Sequence, residues 1–339
     1  MLDASTRLGS YEIVNLLGKG GMGEVWRARH RFLMRTAAVK IIRPEPLVSS
    51  RSDPEVLLRR FEREARATAA LRSPHTVALY DFGQADDGTL YYVMELLVGL
   101  DLETMIARYG PVPPERAIHI LRQVCHSLEE AHASGLTHRD IKPANVFVTG
   151  VGSELDFVKV LDFGLVRLRP ERHDAGDVKL TAAGSAGGTP AYMAPEIAVG
   201  DESYDHRVDI YSVGCVAYWL LTGKLVFEGT SAMKVMLEHA GTPPPRPGTR
   251  TELPIPADLE QVVMDCLEKD PTRRPPTALA LAQRLAACAA ANAWSMERAE
   301  RWWQTHMPKK APDRSLADVL LSREGAGGRE LRPKRRAVQ

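Results

Sequence analysis

At 339 residues the chain is long enough to bury two sizeable cores. Lysine and arginine number 44 against 43 aspartates and glutamates, so no global field favours nucleic acid or an anionic membrane as a partner. Four cysteines, Cys125, Cys215, Cys266 and Cys288, stand singly in apolar surroundings without a C-x-x-C pair; they read as small buried hydrophobes in a reducing, cytoplasmic compartment, not as metal ligands or disulfides. No N-terminal signal peptide is visible. The most apolar helical run, Ala278 to Trp294, is interrupted by Gln283, Arg284 and Asn292, which argues against a membrane span. There is no internal repeat.

Tyr11 to Ile42 reads as three short strands. The first turn among them, Leu17-Gly18-Lys19-Gly20-Gly21-Met22-Gly23-Glu24-Val25, contains a G-x-G-x-x-G. Glycines there let the backbone approach phosphate oxygens that a Cβ would block. A dinucleotide fingerprint has the same spacing but leads into a helix, with an acid about twenty residues on. Here a strand follows, and the next charged landmark is Lys40 in Ala37-Ala38-Val39-Lys40-Ile41-Ile42. A lysine on an apolar strand after a Gly-rich hairpin suits α- and β-phosphates. No G-x-x-x-x-G-K-[ST] is present. Burial of Lys40 without a counter-charge would be costly, which predicts an ion partner.

Pro44-Glu45-Pro46 breaks the chain, and Glu55 to Leu71 reads as a helix with Val56, Phe61, Ala65, Thr68 and Ala69 available for a buried side. Glu64 is the expected partner of Lys40, with Glu62 the alternative. Thr76 to Phe82 and Thr89 to Leu96 read as strands around an Asp86-Asp87-Gly88 turn. Pro114 to His132 is the clearest helix. Prolines stand at its start, Gly135 lies past its end, and Ala117, Ile118, Leu121, Val124, Cys125, Leu128 and Ala131 form one stripe. Val146 to Val148 and Val158 to Leu161 read as short strands whose hairpin sets Asp162 beside Asn145. Trp294 to Trp303 is expected to extend the last helix, with Trp302 and Trp303 packing back on the body of the chain before it. From Lys309 onward the chain turns polar and basic and reads as a disordered tail.

The chemistry concentrates in His138-Arg139-Asp140-Ile141-Lys142-Pro143-Ala144-Asn145 and in Asp162-Phe163-Gly164. An acid that orients a hydroxyl, an amide that ligates a metal and a second metal-binding acid are what phosphoryl transfer needs. For Asn145 the plain alternative is a turn-forming side chain.

With these motifs in this order, the chain resembles the eukaryotic-type serine/threonine protein kinases also found in bacteria, from about Tyr11 to about Leu285. The resemblance also rests on Gly188-Thr189-Pro190, Ala194-Pro195-Glu196, Asp209 and Arg274. It implies an α+β, bilobal fold, with a small β-rich lobe over residues 11–97, a helical lobe over 98–290, and an extension and tail over 291–339. It implies ATP between the lobes with Mg²⁺, Mn²⁺ being the alternative ion, and protein substrates.

By this resemblance Asp140 is the catalytic base, Lys142 stabilises the transferring group, and Lys40 and Glu64 complete the catalytic set. Asn145 and Asp162 are the metal ligands. ATP would contact Leu17 to Val25 of the Gly-rich loop, Ala38, Lys40, the gatekeeper Met94, the hinge at Glu95 and Leu97, and Phe147. Thr189 would bridge Asp140 and Lys142, Glu196 would pair with Arg274, and Asp209 would accept catalytic-loop N–H groups. Arg139 ahead of the catalytic acid implies a phosphate on the activation segment, with Thr181 and Ser185 the candidates and a second copy of the chain as autophosphorylation partner. Two other readings remain at this stage: a scaffold that binds nucleotide without transfer, and a kinase of small molecules.

Overall fold

The computed structural model describes residues 6–20, 23–42, 54–163 and 189–307. Its N-terminal part is an antiparallel sheet of β1 (Arg7–Leu8), β2 (Tyr11–Gly20), β3 (Gly23–His30), β4 (Thr36–Ile42), β5 (Leu79–Gln84) and β6 (Leu90–Glu95), in the order β1-β2-β3-β4-β6-β5, with α1 (Pro54–Ala69) between β4 and β5. Cross-strand partners share a face. Val25 pairs with Lys40, Lys40 with Tyr92, and Ala38 with Met94, so Val25, Ala38, Lys40, Tyr92 and Met94 line one face. On the other face Tyr11, Ile13, Ala28, Val39, Ile41 and Val93 form a buried cluster. The helix α1 covers the Lys40 face, where Phe61 and Ala65 pack with Ile42, Leu90 and Tyr92.

Sequence periodicity placed the fifth strand two to three residues early. Ala78 N–H donates to the Glu95 carboxylate (2.8 Å), and Thr76 makes a single parallel bridge to Val160. The chain joins the sheet only after that detour. The short edge strand β1 gave no sequence signal.

Beyond the sheet come β7 (Gly99–Asp101), α2 (Leu102–Tyr109), α3 (Pro114–Ala133), β8 (Val146–Val151) and β9 (Glu154–Val160). They are followed by α4 (Pro195–Ala198), α5 (Arg207–Thr222), α6 (Ala232–Gly241), α7 (Ala257–Cys266), α8 (Ala278–Ala287) and α9 (Met296–His306). Strands β7, β8 and β9 form a small antiparallel sheet. All seven residues of the expected α3 stripe are buried. Buried Arg116, Gln123 and Ser127 widen the buried side of this helix. Arg116 makes a bidentate pair with fully buried Asp156 (2.8 and 2.8 Å), which also accepts the Trp294 indole N–H (2.9 Å). Gln123 satisfies the adjoining backbone through Asp156 O and Val158 N–H. These bonds fasten the β8–β9 hairpin to α3.

The four cysteines are buried free thiols. Burial pushes Cys125, Cys215, Cys266 and Cys288 up from the ordinary thiol range. Among the described residues no helix is long and apolar enough to cross a membrane. The apolar run after Ala278 is not one continuous helix: α8 stops at Ala287, where Ala289 N–H donates to Asp258 (2.7 Å), and a separate helix starts at Met296. Local propensity favoured continuation; a carboxylate from α7 prevailed. One compact unit runs through Met296. Within α9, Trp302 stacks on His306 at 4.7 Å. The basic tail read from Lys309 onward lies outside the described residues.

Glu196 and Arg274 form the expected pair, at 2.7 and 2.8 Å. Arg274 also donates to the carbonyls of Glu268, Arg207 and Lys269, so a guanidinium with a fully buried side chain is well satisfied. Replacing Arg274 by Met leaves Glu196 without its partner and is expected to cost about 3–5 kcal/mol of unfolding free energy, measured by urea denaturation.

Candidate active site

The loop between α3 and β8 is shaped by one carboxylate. Asp209, wholly buried in the first turn of α5, accepts N–H from His138 (2.8 Å) and Arg139 (2.7 Å) and from His132 Nε2 (2.8 Å). Burial pushes its carboxyl up, but the bond and charge of His132, with the Arg139 N–H, outweigh that and hold it below the usual range. Arg139 adopts a left-handed φ of 67°, and its guanidinium lies 5.0 Å over the ring of Tyr204. His138 donates from Nε2 to Leu161 O (2.7 Å), and its ring packs on Phe163. The loop is thereby tied to the residues around Asp162.

Asp140 comes out of this loop almost fully buried. Lys142 Nζ lies 2.6 Å from it and also donates to Thr189 Oγ1 (3.1 Å). Asn145 Nδ2 donates to Asp140 O (2.8 Å) and Oδ2 (3.1 Å). The β8–β9 register pairs Val146 with Val160, and Leu161 N–H donates to Asn145 O (2.9 Å). That brings Asn145 and Asp162 to one wall. Asp162 has φ 62°, and its carboxylate receives Lys40 Nζ at 2.6 Å.

The counter-charge of Lys40 is therefore Asp162, not Glu64 as the sequence led us to expect. Glu64 is buried on α1. Burial first, and then the nearby charges of Glu64 and Asp162, push the Tyr92 phenol up. The physical reason is local: Asp162 already stands within contact of the ammonium, and one carboxylate satisfies the need for charge compensation.

A cleft of about 570 Å³ gathers Gly18, Lys19, Gly23, Val25 and Lys40 on one side and Lys142, Asn145, Asp162, Thr189 and Tyr192 on the other. A smaller cavity of about 30 Å³ lies behind, walled by Lys40, Tyr92, Met94, Asp162 and Phe163. Among the remaining loop positions, Leu17 is half exposed and Gly20 ends β2. Glu24 is held by Lys19 (3.1 Å) and the Trp26 indole (3.0 Å). Gly21, Met22, Thr181 and Ser185 lie outside the described residues. Ala38 is buried and Leu97 half-buried. Phe147 packs beside Gly99, where a Cβ would meet Val148 O at 2.0 Å. The Glu95 side chain turns back to Lys159 (2.7 Å) and Ala78 N–H.

Sequence reasoning missed Asp101, Glu103 and Tyr192, which also line the cleft. Asp101 was readable as an N-cap: its side chain accepts Thr104 N–H (2.8 Å) and so places both acids at the mouth.

Residues 11–285 match the family model described as Protein kinase domain. The chain is 40% identical over 278 residues to serine/threonine-protein kinase pkn3 of Myxococcus xanthus, covering 82% of this chain and 49% of that protein. It is 41% identical over 271 residues to serine/threonine-protein kinase PknB of Mycobacterium tuberculosis, covering 79% and 41%. It thus spans about half the length, or less, of these curated relatives. Among solved structures, the kinase domain of Mycobacterium tuberculosis PknI superposes with a TM-score of 0.65 at 26% identity, covering 84% of this chain and 98% of that one. Rad53 1–466 in complex with AMP-PNP superposes with a TM-score of 0.64 at 27% identity, covering 81% and 64%.

The glycines of the hairpin are not equivalent. Gly23 has φ 137°, and a Cβ there would stand 1.8 Å from Ile41 O, whereas one at Gly18 would meet nothing within 4 Å. Gly23 is required by the sheet itself. Gly23→Ala is expected to cost at least about 1–3 kcal/mol in backbone strain alone, and to weaken nucleotide binding. Chemical denaturation and titration calorimetry, with Gly18→Ala as the milder comparison, check it.

Proposed function

The chain belongs to the protein kinase family, of the eukaryotic-type serine/threonine kind found in bacteria, and we propose that it transfers the γ-phosphoryl group of ATP to serine or threonine hydroxyls of proteins. One observation carries the reading. Lys40, Asp162, Asn145 and Lys142 line one cleft, Lys40 touches Asp162 at 2.6 Å, and buried Asp140 is bonded to two of these lining residues, Lys142 (2.6 Å) and Asn145 (3.1 Å).

In this reading Asp140 orients the acceptor hydroxyl and takes its proton. Lys142, already bonded to it, sits where charge develops on the transferring group. Lys40 meets the phosphates. Asn145 and Asp162 fit Mg²⁺, or Mn²⁺ as the alternative, because they present oxygen donors suited to a hard cation. Asn145 spends its N–H on Asp140, which leaves Oδ1 as its ligand atom. When bound, the cation would neutralise phosphate charge. The face shared by Val25, Ala38 and Met94, the segment Glu95 to Leu97, and Phe147 offer the adenine site. Rad53, a structural neighbour, is in complex with AMP-PNP. Glu64 keeps a place in the catalytic set as a buried acid on the helix covering Lys40.

The test is transfer of label from γ-labelled ATP to myelin basic protein. Asp140→Asn is expected to lower the rate by about 10²–10⁴, the scale of a lost general base. Undiminished transfer by that variant overturns the assignment.

The same reading extends to regulation. Thr181 and Ser185 are proposed as autophosphorylation sites, modified by a second copy of the chain, with Arg139 the guanidinium available to an added phosphate of about −1.5 to −2 charge. After incubation with MgATP, intact mass is expected to rise by whole phosphates that map to these residues. Full activity in the Thr181→Ala/Ser185→Ala double variant counts against a regulatory role.

A further inference from the structure

A buried polar line runs from Lys269 through Tyr211 and His239 of α6 to the turn at Ala191. It starts at Lys269, after α7, whose Nζ donates to the carbonyl of His239 (2.7 Å) and lies 3.4 Å from the Tyr211 hydroxyl. The hydroxyl is 2.8 Å from His239 Nδ1, and His239 Nε2 is 3.1 Å from Ala191 O. Tyr211 and His239 are both fully buried.

Donor and acceptor roles follow from chemistry. A carbonyl only accepts, so Nε2 carries the proton. Nδ1 then has a lone pair and accepts the tyrosine O–H. Burial, then the Lys269 charge, lowers His239 to about 4, which keeps that lone pair at neutral pH. Burial also raises Tyr211, so its hydroxyl stays a donor. The Phe227 ring packs against the imidazole in a T-shaped contact, with centroids 4.9 Å apart.

The far end of the line matters for function. Ala191 lies in the turn Pro190–Tyr192, directly after Thr189. Thr189 accepts from Lys142, which holds Asp140. The next carbonyl, Tyr192 O, accepts from Ser212 of α5 (2.8 Å), and Tyr192 lines the cleft. The turn is therefore pinned at two successive carbonyls, and His239's partner, Ala191, lies two chain positions after Lys142's partner, Thr189.

We propose that His239 is a positioning residue for the protein acceptor: its Nε2–H fixes the Thr189–Tyr192 turn, and with it the wall of the cleft that receives the hydroxyl-bearing segment. This rests on the reading of the chain as a kinase of proteins. The nucleotide side, built on the sheet and on Asp162, does not touch this line.

Three variants test it: His239→Leu, which removes both nitrogens; His239→Gln, whose amide keeps one donor and one acceptor; and Tyr211→Phe, which removes only the remote link. Folding is checked by thermal melting, and steady-state kinetics use MgATP with myelin basic protein. For His239→Leu, KM for the acceptor is expected to rise on the order of tenfold, as for a lost hydrogen bond that leaves a buried carbonyl unsatisfied, with KM for ATP within about twofold. His239→Gln is expected to recover most of the loss. A folded Leu variant with unchanged acceptor KM, or a fall in both substrates' affinities together, overturns the proposal. If His239→Leu does not fold, Tyr211→Phe decides: a rise of about threefold in acceptor KM supports the line, and no change overturns it. A wild-type protein that transfers no more label than Asp140→Asn sinks the kinase reading and this inference with it. That result is distinct from an active wild type with indifferent variants.

Discussion

A buried ammonium ion must keep a negative partner, and the partner Lys40 takes organises the cleft. Lys40 sits on β4 within an apolar sheet face, and its contact with Asp162 at 2.6 Å joins that sheet to the β8–β9 hairpin. Removing one member of a pair at this depth exposes the other to the full cost of desolvation. On the opposite wall Lys142 does the same for Asp140. Each reactive carboxylate therefore carries its own lysine.

The second constraint is in the backbone. Arg139 and Asp162 both have left-handed φ values, 67° and 62°, a conformation that costs non-glycine residues of order 1–3 kcal/mol and persists only where the surroundings enforce it. The enforcement is visible. Asp209 grips the N–H groups of His138 and Arg139, and His138 reaches Leu161 O next to Asp162. One buried carboxylate and one histidine thus hold two strained residues: Asp162, which lines the cleft, and Arg139, whose guanidinium lies over Tyr204. Asp209, which does not line the cleft, thereby shapes the loop that carries Asp140.

Short local motifs were legible because their chemistry depends on sequence spacing. Asp140, Lys142 and Asn145 are placed by a single loop, and the hairpin that follows brings Asp162 to Asn145 by register alone. Pairs formed across the fold were less legible. Glu196 and Arg274 were readable only through family resemblance. The choice between Glu64 and Asp162 as the partner of Lys40 depends on which carboxylate arrives nearest, and no spacing encodes that. Gly23 looked like a phosphate-binding glycine, yet its φ and the nearness of Ile41 O give it a folding role first. The end of α8 is set by Asp258, thirty-one residues before the N–H it caps, so an alanine-rich sequence could only suggest continuation.

The two walls of the cleft are held by different contacts. The turn that carries Thr189 and Tyr192 is pinned by Ser212 on Tyr192 O and by His239 on Ala191 O, with the Glu196–Arg274 pair a few residues on. Lys40–Asp162 and Glu95–Lys159 are ion pairs that cross from the sheet to the later chain, beside backbone bonds such as Val77 N–H to Val160 O (3.0 Å). Glu95 lies at the end of β6, where the chain leaves the sheet, so its pair with Lys159 ties that exit to β9. Lys40–Asp162 lies inside the cleft and ties β4 to the residues that follow β9.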